Sequence, residues 1–259
     1  MCSSMDVDED ILREIDREIQ EIKNRIGIDR KTLNEVFDRP TLLAFGKLIS
    51  DRIIDYVDFP ISTGKEANVF RAVTPRGKII AVKVYRIATS NFKRMIYYIQ
   101  GDPRFSTVEK SKREIIHQWV RKEYKNLEIL KDLEIPAPQP VRAWKNILVM
   151  SYIGDEISPA PLLKSVKLSK PKKIYKEILG YIEKMFIEGD LIHSDLSEYN
   201  ILYFDDTPYL IDLAQGVISE HPMAMEFLAR DIRNIVNYFK RYGIEEDAEK
   251  IFNKIIKNR

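Results

Sequence analysis

A single cysteine, Cys2, stands in the 259-residue chain. That rules out a disulfide framework and suits a reducing compartment. The three histidines, His117, His193 and His221, are far apart in sequence, so a zinc site is not expected. No run approaches the roughly twenty apolar residues of a membrane-spanning helix, so no membrane partner is expected. The acidic N-terminal residues do not read as a secretory leader, and the expected location is the cytoplasm. Neither sign of charge dominates, with 42 Lys plus Arg against 40 Asp plus Glu. Overall charge therefore points to no polyanionic partner. Internal repeats and low-complexity tracts are absent. The length suffices for one bilobal domain or two small ones with ample core.

The glycine-rich phosphate loops are missing too. Gly64-Lys65 has no glycine five residues earlier and is followed by Glu66 rather than Ser or Thr, which excludes a Walker loop. The lone Gly64 of the stretch 62–68 also excludes a G-x-G-x-x-G loop. A short polar loop between strands can still offer backbone N–H groups to phosphate.

What is present is an acid, an amide five residues on, and a second acid after a hairpin. They are Asp195 and Asn200 in Leu191-Ile192-His193-Ser194-Asp195-Leu196-Ser197-Glu198-Tyr199-Asn200, then Asp212 closing Tyr209-Leu210-Ile211-Asp212. This is the spacing of a phosphoryl-transfer site, where one carboxylate takes a hydroxyl proton and the amide and second acid hold a hard cation. Taken alone, the stretch also reads as an Asp- and Asn-rich turn between apolar runs.

The rest of the chain supplies context. Ile11, Ile15, Ile19, Ile22 and Ile26 form one apolar stripe, a second helical pattern covers 31–37, and a third begins near Thr41 after Asp38-Arg39-Pro40. Residues 1–54 therefore read as a helical extension. Strand patterns follow at 56–61, 69–73 and 78–85. Lys83 interrupts the last of these. It either meets a carboxylate or an anion, or points to water from an edge strand. The connection 87–106 is too long for an ordinary loop; its part 91–99 has a helical pattern, and the whole reads as a flexible insert. In the helix expected over 107–133, Glu123 falls on the stripe of Ile116, Val120, Leu127 and Leu130. An acid there calls for a cation, with Lys83 the candidate, or lies at the stripe's margin. Strands at 141–144 and 147–150 lead to an extended segment 151–154. Lys164, Lys167, Lys170, Lys172, Lys173 and Lys176 read as a solvated face or a surface for RNA phosphates. Helices are expected from Pro171 to about Gly189, through Phe227 to Phe239, and over 244–257.

Together these features resemble the RIO family of atypical protein kinases, in its Rio1 branch. The resemblance rests on Ser62-Thr63-Gly64-Lys65-Glu66-Ala67-Asn68-Val69, His193 through Asn200, Ile211-Asp212, His221-Pro222-Met223-Ala224 and Phe227-Leu228-Ala229-Arg230-Asp231, and covers roughly 55–240. It implies an α+β, bilobal kinase-like fold: a β-sheet N-lobe over 55–150 with a regulatory helix, and a reduced helical C-lobe over 151–259 without peptide-docking subdomains. ATP and Mg²⁺ (or Mn²⁺) are the implied cofactors. Lys83 would contact the phosphates and Glu123 would orient it. Ser62 would help cover the triphosphate. Met150 would wall the adenine pocket, with backbone of Ser151 and Ile153 bonding the base. Asp195 would act as the acid–base group, and Asn200 and Asp212 would bind metal. His193 would brace the catalytic loop and Asp231 would anchor it.

The resemblance further implies self-phosphorylation, with Ser90, Ser106 and Thr107 as candidates, and a role on small ribosomal subunit precursors and their rRNA. The alternative is an ATPase switch with a transient phosphate on Asp212. Ser194 where ordinary kinases carry Arg, Leu213-Ala214 in place of Phe-Gly, and no Ala-Pro-Glu motif all depart from those kinases. A small-molecule kinase shares the acid-amide spacing but not the loop 62–68. A nucleotide-binding scaffold has no need of Lys83, Asp195, Asn200 and Asp212 together.

Overall fold

Capping and alternation explain most element boundaries. The computed structural model describes residues 17, 19–26, 37–105 and 111–259. Ile11, Ile15, most of the second helical pattern, Ser106 and Thr107 lie outside them. The chain divides into two compact units, one of residues 1–90 and 143–152, the other of 91–142 and 153–259.

In the first unit, helix α1 (Arg39–Ser50) starts where Asp38 accepts from the Thr41 N–H at 3.0 Å, with Pro40 in its first turn. Strands β1 (Tyr56–Thr63), β2 (Ala67–Val73), β3 (Ile79–Tyr85), β4 (Pro140–Trp144) and β5 (Ile147–Ser151) form one sheet in the order β1-β2-β3-β5-β4. Phe70 and Ala72, then Ile80, Val82 and Val84, then Ile147 and Val149 alternate onto one buried face. Leu42, Phe45 and Leu48 of α1, with Ile19, Ile22 and Ile26, belong to the same core. Alternation sends Lys83 to the other face, where the register sets it opposite Val69 and Leu148, and sets Ala81 opposite Met150.

The second unit is mainly helical: α2 (Phe92–Gln100), α3 (Lys112–Asp132), α4 (Pro171–Ile187), α5 (Ala224–Phe239) and α6 (Ala248–Lys257), with a hairpin of β6 (Ile201–Phe204) and β7 (Thr207–Leu210). Helix α2 lies where the helical pattern 91–99 predicts it, inside the connection 87–106 that reads as a flexible insert. Met95 and Ile99 are fully buried, so its central part is packed structure. Helix α3 begins at Lys112, because Ser111 caps it and accepts from the Glu114 N–H at 3.2 Å. The last helix starts at Ala248 rather than Ile244. Gly243, at φ 72°, ends the preceding turn, and Asp247 caps the new helix. Among the described residues no helix is long and apolar enough to cross a membrane.

Candidate active site

The loop carrying Asp195 is held by the helix that follows it in sequence. Asp231 faces inward from α5, and its two carboxylate oxygens accept from the Ser194 N–H at 2.8 Å and the Leu196 N–H at 2.9 Å. Asn234, one turn on, donates to the Leu196 carbonyl at 3.0 Å, and Arg230 donates to the Ser194 carbonyl. Four backbone groups on either side of Asp195 are therefore fixed from one helix. Burial pushes the Asp231 carboxyl up to about 7, against the two backbone donors and Arg230, which favour its charged form. Ser194 sits at φ 67°, a left-handed conformation that this clamp sustains.

His193 is buried beneath the loop. Its Nε2 lies 2.9 Å from the Ile211 carbonyl, so Nε2 carries the proton, and Nδ1 is buried without a hydrogen-bond partner. Burial holds the imidazole below its usual range despite the nearby Asp212 and Asp195. A depressed folded-state value means the unfolded chain protonates first. The stability contributed by neutral His193 is thus complete above about pH 6.5 and is lost as pH falls through the folded value. Between pH 7 and pH 5 the thermal midpoint of wild type is expected to lose ground relative to that of His193→Gln, which keeps a donor for Ile211; the buried Asp231 contributes with the opposite sign in both proteins. Equal slopes in the two proteins would refute this.

Asn200 closes the loop. Its Nδ2 donates to the Asp195 carbonyl at 2.7 Å, which commits the amide nitrogen to the loop and leaves the oxygen as the acceptor end. The Ile211 N–H donates to the Asn200 carbonyl at 3.0 Å, joining this loop to the segment bearing Asp212. Asp212 closes the apolar run that begins at Tyr209, but β7 stops at Leu210 and Asp212 adopts φ 64° at the head of a short 3-10 turn, 213–215. An Asp tolerates that region better than a branched residue. On α3, Asn126 donates to the carbonyls of Leu213 (2.7 Å) and Gly216 (3.1 Å), and Lys122 donates to Gly216 as well. Lys122 is fully buried, 3.2 Å from the buried Asp102, which also accepts from Arg104 at 2.7 and 2.9 Å. Burial pushes the Lys122 ammonium down to about 8, with Asp102 opposing.

Asp195 itself, half-exposed, receives Gln215 Nε2 at 3.0 Å on Oδ2, and Gln215 in turn receives Arg94 Nη2 at 2.7 Å. Gln215, Arg94, Lys122, Asp102 and Asn126 were not among the residues expected from sequence. One signal existed for two of them. Ile115, Trp119, Lys122 and Asn126 form a second helical row beside the apolar stripe, with polar groups where burial demands partners.

Glu123 lies on α3 in this unit, 1% exposed. The remaining expected residues lie on the sheet unit, except Ile153. Lys83 is 7% exposed, with its Nζ 5.1 Å from the Tyr85 ring centroid. Ser62 is exposed near the end of β1. The adjoining Gly64 N–H is engaged internally, by the Ala67 carbonyl and by Asn68 Oδ1, both at 3.0 Å. Met150 and Ser151 end β5, and the Ile153 carbonyl accepts from the Ala160 N–H at 3.0 Å. Ser90, 9% exposed, donates its hydroxyl to the Arg86 carbonyl.

The donor set suits a hard divalent ion. Asn200 and Asp212 carry oxygen donors, and among the described residues no three His, Cys, Asp or Glu side chains cluster into a self-sufficient metal cage. Few protein ligands supplemented by phosphate oxygens and water is the pattern of magnesium.

Residues 68–251 match the RIO domain family. The RIO-type serine/threonine-protein kinase Rio1 of Methanocaldococcus jannaschii is 43% identical over 245 residues, 94% of this chain and 83% of that protein. That of Thermoplasma acidophilum is 47% identical over 183 residues, 71% of this chain and 96% of that one. The crystal structure of a Rio2 kinase-ADP/Mg²⁺-phosphoaspartate complex from Chaetomium thermophilum superposes with a TM-score of 0.63 at 20% identity. The alignment covers 82% of this chain and 65% of that one, and at such identity the likeness concerns the fold.

Proposed function

Because the chain belongs to the RIO family and is a RIO-type kinase, we propose that it transfers the γ-phosphoryl group of ATP to a serine or threonine hydroxyl, first of all its own. The observation that carries this reading is the acid-amide-acid set. Asp195 and Asn200 share a loop clamped by α5, and Asp212 follows on a turn clamped by α3. Asp195 accepts the hydroxyl proton as the new O–P bond forms and the bond from the γ-phosphorus to its bridging oxygen breaks, releasing ADP. Asn200 and Asp212 hold the divalent ion, Mg²⁺ or Mn²⁺. When bound, that ion neutralises developing phosphate charge. By the family resemblance Lys83 would meet the phosphates, with Glu123 as the acid that orients it, Ser62 would border the triphosphate, and Met150, Ser151 and Ile153 would receive the adenine.

A second reading is an ATPase switch in which Asp212 takes the phosphoryl group and water then removes it. The phosphoaspartate in the complex of the structurally similar Rio2 kinase favours it. Under either reading we place the protein on small ribosomal subunit precursors in the cytoplasm, on the strength of family membership. Co-sedimentation with those precursors is the check, and no comigration with or without ATP would refute that placement.

The two chemistries separate by the fate of γ-labelled phosphate in wild type and Asp212→Ala. Acid-stable label on the protein is expected for the kinase. Mostly free phosphate, with hydroxylamine-labile protein label that vanishes in Asp212→Ala, would establish the switch instead.

A further inference from the structure

We propose that Arg94 and Gln215 are positioning residues for Asp195, and that together they fix which oxygen of its carboxylate faces a substrate hydroxyl. The proposal rests on the phosphoryl-transfer reading of this site.

Three side chains form one cluster. Gln215 Nε2 donates to Asp195 Oδ2 at 3.0 Å, while Gln215 Oε1 accepts from Arg94 Nη2 at 2.7 Å. The same Arg94 nitrogen lies 3.7 Å from Asp195 Oδ2, and Asn200 Nδ2 approaches that oxygen at 3.5 Å. All three groups converge on Oδ2, which leaves Oδ1 as the oxygen presented for proton transfer.

The amide of Gln215 has a donor end and an acceptor end, and a guanidinium has donors only. Arg94 therefore accepts Gln215 in one orientation, the one that turns the amide nitrogen toward Asp195. Without Arg94 the amide is free to rotate by half a turn and bring its oxygen against the carboxylate, which is repulsive. Arg94 thus acts on the base through Gln215, as an outer partner orients an inner ligand.

Both residues stand on rigid supports. Gln215 is 7% exposed on the turn directly after Asp212, whose Leu213 carbonyl is tied to Asn126. Arg94 rises from the first turn of α2, which is anchored by the buried Met95 and Ile99. The side chains of Arg94 and Asp195 are 44% and 40% exposed, so changing Arg94 opens no cavity. The long connection between β3 and α3 thereby contributes a side chain to the chemistry.

The test uses the full chain with Mg²⁺-ATP, measuring phosphoryl transfer alongside affinity for a fluorescent ADP analogue. Arg94→Ala and Gln215→Leu are expected to lower kcat by about tenfold or more, the scale of losing an orienting charge-assisted contact. The KM for ATP and the analogue's Kd should stay within about threefold, since neither residue is assigned to nucleotide. Arg94→Lys should recover most of kcat, because an ammonium also donates to Oε1. The double variant should be no slower than Gln215→Leu alone, the non-additivity of residues acting in series. Unchanged kcat in both single variants would overturn the proposal. So would increased kcat, which would make the contact a block on the base, or a loss confined to nucleotide affinity. A wild-type chain that passes γ-phosphate neither to protein nor to water would overturn the phosphoryl-transfer reading itself, and this inference with it.

Discussion

Asp195→Ala is expected to cut phosphoryl transfer by roughly 10²–10⁴-fold, the contribution of a positioned general base. Its half-exposed side chain bears no core packing, so the thermal midpoint should stay near that of wild type. Loss of activity without loss of stability is the signature to look for in paired kinetic and melting measurements. Transfer within tenfold of wild type would remove Asp195 from the chemistry and leave the loop without its assigned base.

Lys122→Met is expected to have the opposite profile and to cost about 3 kcal/mol of stability, the lower end of the range for breaking a buried ion pair. The lower end applies because Arg104 still bonds both oxygens of Asp102, and Asn126 still donates to the Gly216 carbonyl. For a chain of this size that corresponds to a fall in melting midpoint of roughly 6–12 °C. Adding Asp102→Leu should restore part of the loss, since the stranded carboxylate goes with it. A single variant that melts with wild type would show that the Lys122 ammonium does not stabilise the unit. A double variant less stable than the sum of the singles would contradict the ion-pair account.

The sheet was legible because alternation is a local property. Ile80, Val82 and Val84 announce one face of β3, and Lys83 announces the other. The pairing of Asp195 with Asn200 was legible by spacing, since one short loop holds both, and the Asn200 carbonyl accepts from Ile211 N–H next to Asp212. The loop-anchoring Asp231 was reached through the family resemblance rather than through periodicity, and its carboxylate does accept from the Ser194 and Leu196 N–H groups. The left-handed Asp212 was not legible, because the apolar run through Ile211 continues the strand pattern past the point where the chain turns. Arg94 with Gln215, and Lys122 with Asp102 and Gly216, were invisible for a different reason. Residues 94 and 215 are separated by 121 positions, and no periodicity in either segment encodes the other. Such contacts follow only from tertiary packing, which also buries Met95 and Ile99 of the helix whose pattern was visible at 91–99.

The clamp of α5 on the catalytic loop also sets an order of events during synthesis. By the time residue 222 has been made, the loop, Asn200 and Asp212 all exist as chain, yet Arg230, Asp231 and Asn234 do not. The N–H groups of Ser194 and Leu196 then have only water to bond, and nothing holds Ser194 in its left-handed conformation. A nascent chain halted at that point would carry the whole acid-amide-acid signature and remain catalytically silent. Its chemistry would switch on only when the α5 segment, Ala224–Phe239, emerges and docks.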